Sequence, residues 1–253
     1  MTHAIPPRFR PHPVNPADQP GWLGWSLNFF GNDGGQNPHV DLTLQLDVTA
    51  GWARYEAVRQ RGEPTASFFA FLVWHLLCSL AAHPSFNLRK VGGQWYRVDN
   101  PPLFVPVAVG GDARFQSLVL EDVYGMDYAD FAAAYGAQLA LARSPDAPSS
   151  EPEIFTLAHF VGNLPNLRFT GMTLHWRPDQ MVGQSFFYFG QRYQQDGRMM
   201  IPLAARLHHA CTDPYVLDQL LADFQGRLKN PAPIEGAAKG FGETRPAREN
   251  DEG

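Results

Sequence analysis

The sequence predicts an α+β fold built around a large mixed β-sheet. Val40, Leu42, Leu44, Leu46 and Val48 alternate with Asp41, Thr43, Gln45 and Asp47, a period of two that marks a half-buried strand. Residues 68–78 form an almost unbroken apolar run between Pro64 and Pro84, read as a buried core helix. The remaining strand-like runs come in groups with a few helices between them, which argues against alternating βαβ units.

In chain order, residues 1–20 are proline-rich and lack an apolar stretch, so they read as an extended arm. After the strand at 40–48, Thr49 offers an N-cap for a helix over 50–60, and Thr65 one for the apolar helix. Residues 86–91 and 94–98 flank Gly92-Gly93, a hairpin turn. Strands follow near 103–109 and 115–121. Asp127 is placed to cap an Ala-rich helix through Leu141. The segment 144–152, with three prolines and three serines, reads as a long loop. Strand-like runs then fall near 154–160, 169–176, 185–194 and 199–209. A final amphipathic helix starts after Asp213. Beyond Leu228 the chain is polar and rich in Gly, Pro and charge, the composition of a disordered tail. The expected organisation is an arm over 1–20, one domain over 21–228 and a tail over 229–253.

The chain of 253 residues is 44% hydrophobic, enough for one substantial core. Its formal charge of -5 is unlike the basic surplus of a nucleic-acid binder. Two cysteines, Cys78 and Cys211, are too few for a disulfide framework or a structural zinc site, and fit a reducing cytoplasm. The N-terminus does not read as a signal peptide. The 68–78 run is too short to span a bilayer. His39, His159 and His175 show no metal-ligand spacing.

The chemistry concentrates in His208-His209-Ala210-Cys211-Thr212-Asp213. With 201–211 as a strand, Ile201, Leu203, Ala205, Leu207, His209 and Cys211 share one face, and Arg206 and His208 the other. His209 then ends an apolar row, shielded from water, where desolvation favours the neutral imidazole that a general base needs. A satisfied core histidine is the bland alternative. Asp213 sits where the strand ends. Pro214 follows it, and Val216, Leu217, Leu220, Leu221, Phe224 and Leu228 form a helical stripe, so Asp-Pro also reads as an N-cap and N1 pair. The two roles are compatible. Cys211 has no cationic neighbour except the histidines and reads as core packing.

This segment resembles the His-His-x-x-x-Asp-Gly motif of the chloramphenicol acetyltransferase family, within the wider CoA-dependent acyltransferases. Arg192-Tyr193-Gln194-Gln195-Asp196-Gly197 and Ile201-Pro202-Leu203 are similar to the family's Lys-Tyr turn and Leu-Pro-Leu approach. Leu164-Pro165 with Phe169-Thr170, the Leu42 to Thr49 strand, and His83-Pro84 to Leu88-Arg89 fit as well. The resemblance runs from about Trp25 to Leu228. It implies a two-layer α+β fold, commonly a homotrimer with active sites between subunits. It also implies no bound cofactor, with acetyl-CoA as co-substrate. His209 becomes the base that deprotonates the hydroxyl of a small-molecule acceptor such as chloramphenicol. The acetyl group passes directly, and Asp213 is the supporting carboxylate. Trp25, Phe29 and Phe30, with Trp22, fall where the family lines its acceptor pocket; ordinary packing is the bland reading. Arg192 and Tyr193 fall where CoA is bound, although Arg192 also reads as a solvated strand residue.

The chain departs from the family pattern at several points. The serine that donates to the oxyanion is replaced by Gly162, with the amide of Asn163 beside it. Loss of one such donor costs roughly a hundredfold or more in rate. Pro214 stands in place of the motif glycine, Asn166 in place of a tryptophan, and Phe189 in place of a threonine. No arginine near Trp22 to Phe30 is available to pair with Asp213, leaving Arg168, Arg206 or the cap role. These departures leave two further readings open: a relative that binds ligand without catalysis, and acyl transfer to an amine.

Overall fold

The computed structural model of the chain describes residues 5–31, 37–63, 66–145, 147, 152–175 and 182–230. A short strand, β1 (Pro11–Val14), leads through a 3-10 turn into helix α1 (Gly21–Phe29). Strand β2 (His39–Asp47) follows, then helices α2 (Thr49–Gln60) and α3 (Phe68–Ala82). The hairpin β3 (Leu88–Val91) and β4 (Gln94–Val98) precedes the longer pair β5 (Leu103–Gly110) and β6 (Arg114–Leu120). Helix α4 (Tyr128–Ala142) and the short α5 (Pro152–Leu157) lead into β7 (His159–Asn163), β8 (Phe186–Phe189), β9 (Tyr193–Gln195) and β10 (Arg198–His208). Helix α6 (Pro214–Lys229) closes the described chain.

The large sheet runs β2-β10-β8-β7-β5-β6, with β9 pairing β10 off this path. Its β5–β7 and β7–β8 pairs are parallel and the others antiparallel, so the sheet is mixed, as predicted. Alternation along each strand sends Leu203, Ala205 and Leu207 of β10, Phe187 and Phe189 of β8, and Val105 and Val107 of β5 into the main core. There they meet Phe71 and Leu76 of α3, Phe131 of α4, and Leu220 and Phe224 of α6. Helices on one face and a sheet beneath make the two layers. Helix α3 is buried on every side from Phe68 to Leu80, which is why its sequence is apolar throughout.

A second sheet, β1-β4-β3, is turned by Gly92 and Gly93, both at positive φ (57° and 82°), the geometry of a tight hairpin. The arm at 1–20 is extended over Pro11–Val14 but does not hang free. Strand β1 pairs with β4, and Phe9 is buried with Ile5, Val98, Ile154 and Leu157.

The expected elements need correction in five places. Thr49 does not cap α2. The carboxylate of Asp47 accepts from the Thr49 amide (3.0 Å) and hydroxyl (2.6 Å), and Thr49 Oγ1 accepts from Met199 N (2.9 Å). Helix α3 is capped by Ser67, whose hydroxyl accepts from Ala70 N (3.1 Å); Thr65 lies outside the described residues. The run 154–160 begins as helix α5, with Pro152 at its start, and becomes strand only at His159. Residues 169–175 form no strand. Side chains of β2 hold them instead: Gln45 Nε2 donates to Phe169 O (3.1 Å), and Thr43 Oγ1 accepts from Met172 N (3.2 Å). The run 185–194 splits into β8 and β9 because Gly190 N bonds to Pro202 O and Gln191 N to Leu167 O. The 144–152 loop falls mostly outside the described residues, and so does nearly all of the 229–253 tail.

Candidate active site

His209 stands one residue past the end of β10. The last rung of the ladder pairs His208 with His39, and the chain turns there because His209 N bonds to Pro38 O (2.7 Å). His209 therefore leaves the apolar row that ends at Leu207. Its ring packs against α1, with centroids 4.4 Å from Phe30 and 5.8 Å from Trp22. The residue is half-buried, and its Nδ1 is buried without a hydrogen-bond partner. Ser26, on the same helix, donates to the His209 carbonyl (2.9 Å) and fixes the turn against α1. Trp25 stacks on Phe29 (4.8 Å) and meets Phe30 edge-on (5.7 Å). Trp22, Trp25 and Phe29 are 43%, 53% and 62% exposed. They are not core. They form an open apolar wall beside the imidazole, the kind of patch that marks a binding surface.

Asp213 caps α6, accepting from Val216 N (2.8 Å). Neither arginine considered as its partner reaches it. Arg168 lies over the Tyr193 ring (3.6 Å) and Arg206 faces Asp41 (3.6 Å). Asp213→Ala is expected to lower stability by about 1 kcal/mol. Asp213→Asn, which keeps an acceptor oxygen, should change it little; urea denaturation checks both.

The other sequence-predicted residues lie elsewhere on the sheet. Gly162 sits beside Tyr188, and Tyr188 beside Ala204 of β10. β10 runs four positions beyond Ala204 to its end at His208, so the turn that carries His209 begins roughly 13 Å along the strand direction and about 10 Å across the sheet from Gly162. One chain does not bring Gly162 and His209 together. Asn163 is exposed and pairs with Phe189. Arg192 lies over Trp52 (4.3 Å), and Tyr193, whose hydroxyl donates to Gln45 Oε1 (2.9 Å), pairs with Met200 at the start of β10. The aromatic wall and His209 thus occupy one end of β10, and Arg192 and Tyr193 the other.

The family profile described as chloramphenicol acetyltransferase matches residues 37–225, well over half of the chain. The chain belongs to the chloramphenicol acetyltransferase family. It is 28% identical to a chloramphenicol acetyltransferase of Streptomyces acrimycini over 197 residues, 76% of this chain and 84% of that one. To one of Escherichia coli it is 27% identical over 184 residues, 72% and 80% of the two chains. A solved chloramphenicol acetyltransferase superposes with a TM-score of 0.70 at 19% identity, covering 87% of this chain and 100% of that chain. The cubic core of a pyruvate dehydrogenase multienzyme complex superposes at 0.62 and 18% identity, covering 81% and 86%. These structures share the fold. The family relation makes the chain an acyltransferase.

Gly162, expected at the oxyanion position, is crowded by a neighbouring ring. A Cβ there would lie 2.2 Å from Cε1 of Tyr188, so a serine has no room while that ring stays in place. Beneath the His209 turn is a buried polar layer that the sequence reading did not single out. Thr212 Oγ1 donates to His208 O (3.1 Å), and His208 Nδ1 accepts from Ala210 N (3.3 Å). The His208 and His39 rings meet edge-on at 5.1 Å. Cys211 is buried and its thiol is pushed up to about 12 by burial, consistent with packing. Ser26 was also overlooked. Its signal was available, since Trp22, Trp25, Ser26 and Phe29 recur at the spacing of one helix face.

Burial foremost lowers His208 and His75 to about 3 and His39 to about 4, from 6.5. The unfolded chain takes up these protons near pH 6.5 and the folded chain does not. Stability is therefore complete above that pH and falls as pH drops toward 3. Between pH 7 and 5, His75 and His208 should each remove about 2 kcal/mol. Urea midpoints at the two pH values measure the loss; equal midpoints would contradict it.

Proposed function

We propose that this chain is a CoA-dependent O-acetyltransferase that acetylates a hydroxyl of an apolar small molecule, chloramphenicol being one candidate. The observation that carries the reading is the placement of His209, held between Phe30 and Trp22 at the edge of an open aromatic wall. The acceptor lies against Trp25, Phe29 and Phe30. Because Nδ1 is sealed off, Nε2 takes the hydroxyl proton as the acceptor oxygen attacks the thioester carbonyl carbon. The carbonyl electron pair moves to oxygen. It returns as the C–S bond breaks, and the imidazolium gives its proton to the departing thiolate. The products are the ester and free CoA, with no acyl-enzyme, and Asp213 supports the turn as the cap of α6.

Gly162 and Asn163 belong to the oxyanion side of this reaction and Arg192 and Tyr193 to the CoA side. The wide separation between them and His209 in one chain supports a site assembled from two copies, with residues 21–228 as the acyltransferase body of a homotrimer. A head-to-tail interface of this kind closes into a ring. The two thiols, Cys78 and Cys211, are free, as a reducing cytoplasm would keep them. Among the described residues no helix is long and apolar enough to cross a membrane.

The test is release of free thiol from acetyl-CoA in the presence of a panel of alcohols that includes chloramphenicol, with amines in parallel. Release that requires an alcohol supports the reading. The crowding at Gly162 favours one competitor, a relative that binds without catalysis. Calorimetric binding of CoA or chloramphenicol without thiol release for any acceptor would establish that competitor instead.

A further inference from the structure

In the run Phe186-Phe187-Tyr188-Phe189, the three phenylalanines are fully buried and Tyr188 alone is half-exposed. Its ring packs against Phe160 (centroids 5.5 Å, 39°) on the sheet face away from the main core. It also lies flat across Gly162. An added Cβ at 162 would meet Tyr188 Cε1 at 2.2 Å, Cδ1 at 2.3 Å and Cζ at 3.0 Å. On the other side, Tyr188 pairs with Ala204, another small residue. Among the described residues the Tyr188 hydroxyl makes no hydrogen bond, and it is not one of the buried polar atoms left without a partner, so it stands open at the half-exposed edge of the ring. Packing explains the ring, and its half-exposed position leaves the hydroxyl accessible to a bound group, unlike the fully buried phenylalanines on either side.

We propose that the Tyr188 hydroxyl is the hydrogen-bond donor to the oxyanion of the transfer reaction, occupying the space that a serine side chain at position 162 would need. The inference rests on the acetyl-transfer reading above. Glycine at 162 and tyrosine at 188 then form one exchange: the side chain lost from β7 is replaced across the strand pair by a longer donor from β8. Burial pushes the phenol up to about 12, so it keeps its proton at neutral pH and serves as a donor. A tyrosine fixed by two small neighbours and Phe160 is preorganised, which is what stabilises a developing charge without reorganisation. When the acceptor oxygen bonds to the thioester carbon, the carbonyl oxygen gains the electron pair and the Tyr188 O–H points a hydrogen bond at it. The proton stays on Tyr188, and the bond weakens again as the thiolate leaves. Because Tyr188 is remote from His209 of its own chain, the donor serves the His209 of a second copy.

The experiment compares wild type with Tyr188→Phe, using acetyl-CoA and whichever acceptor the wild type turns over. Removing only the hydroxyl is expected to lower kcat by about a hundredfold, with KM for acetyl-CoA and the melting temperature little changed. A kcat equal to wild type overturns the inference while leaving the acetyltransferase reading intact. Wild-type protein that releases no CoA with any acceptor overturns both. Should Tyr188→Phe melt early, the pair Tyr188→Ala and Tyr188→Ala/Gly162→Ser decides. The added serine then has space and is expected to recover at least tenfold of the lost kcat; no recovery overturns the inference.

Discussion

Replacing His209 by alanine is expected to lower kcat for acetyl transfer by roughly a thousandfold, within the range that general-base catalysis supplies. The fall should appear in kcat, with KM for acetyl-CoA little changed, because in the proposed reaction the imidazole acts on the acceptor hydroxyl and not on the nucleotide end of CoA. His209→Gln is the control for packing. It keeps a polar side chain between Phe30 and Trp22 but offers no base, and should be as slow as alanine. Steady-state thiol release measures both. A variant within an order of magnitude of wild type would remove His209 from the chemistry and leave it as one wall of an aromatic cluster.

The second large effect concerns stability. Arg89 is 1% exposed and spends its guanidinium on backbone carbonyls. Nη1 donates to Phe86 O and Leu88 O (2.8 Å each) and Gly183 O (3.3 Å), Nε to Leu157 O (3.2 Å), and Nη2 to Ala158 O (3.2 Å). Burial lowers its pKa to about 10, so it remains charged at neutral pH. These bonds tie the start of β3 to the α5–β7 junction and to the segment before β8. The same layer supports the His209 turn, since Leu88 packs with Ala210 and Cys211, and Cys211 Sγ donates to Gly183 O (3.4 Å). Arg89→Leu leaves these buried carbonyls without their donor, and should cost about 4 kcal/mol or more. Arg89→Lys should recover little, because a single ammonium cannot span the fork. Urea denaturation at pH 7 gives the answer; a loss under about 1 kcal/mol would show that other donors or water replace the guanidinium.

Much of the architecture was legible because it rests on local patterns. The alternation at 40–48 marks β2 because only one of its faces meets the helices. The run at 68–78 marks α3 because it is enclosed on all sides. Gly92-Gly93 marks a hairpin because both residues adopt positive φ. The misreadings have one cause, which is that long-range partners override local pattern. Residues 169–175 alternate like a strand but are ordered by Thr43 and Gln45 of β2. His209 fits the period of β10 but leaves it for Pro38 and Ser26, the latter 183 positions away in sequence. Arg89 carries no sequence mark of burial. The crowding of Gly162 by Tyr188 follows from strand register, which one sequence does not display. For the candidate site, His209 and the aromatic residues of α1 could be singled out from the sequence, and their contact with one another and the partition of the other candidates to the far end of β10 could not.

In the proposed reaction this member of the chloramphenicol acetyltransferase family moves an acetyl group directly from CoA to a hydroxyl, with His209 as base. Product stoichiometry tests that claim most directly. Wild type and His209→Ala are incubated with isotopically labelled acetyl-CoA and an acceptor alcohol, and free CoA, labelled ester and labelled protein are quantified by mass spectrometry. Direct transfer with His209 as base predicts one ester for each CoA released by wild type, no label on the protein, and neither product from His209→Ala above background. CoA released without ester, or label retained on the chain, would contradict it.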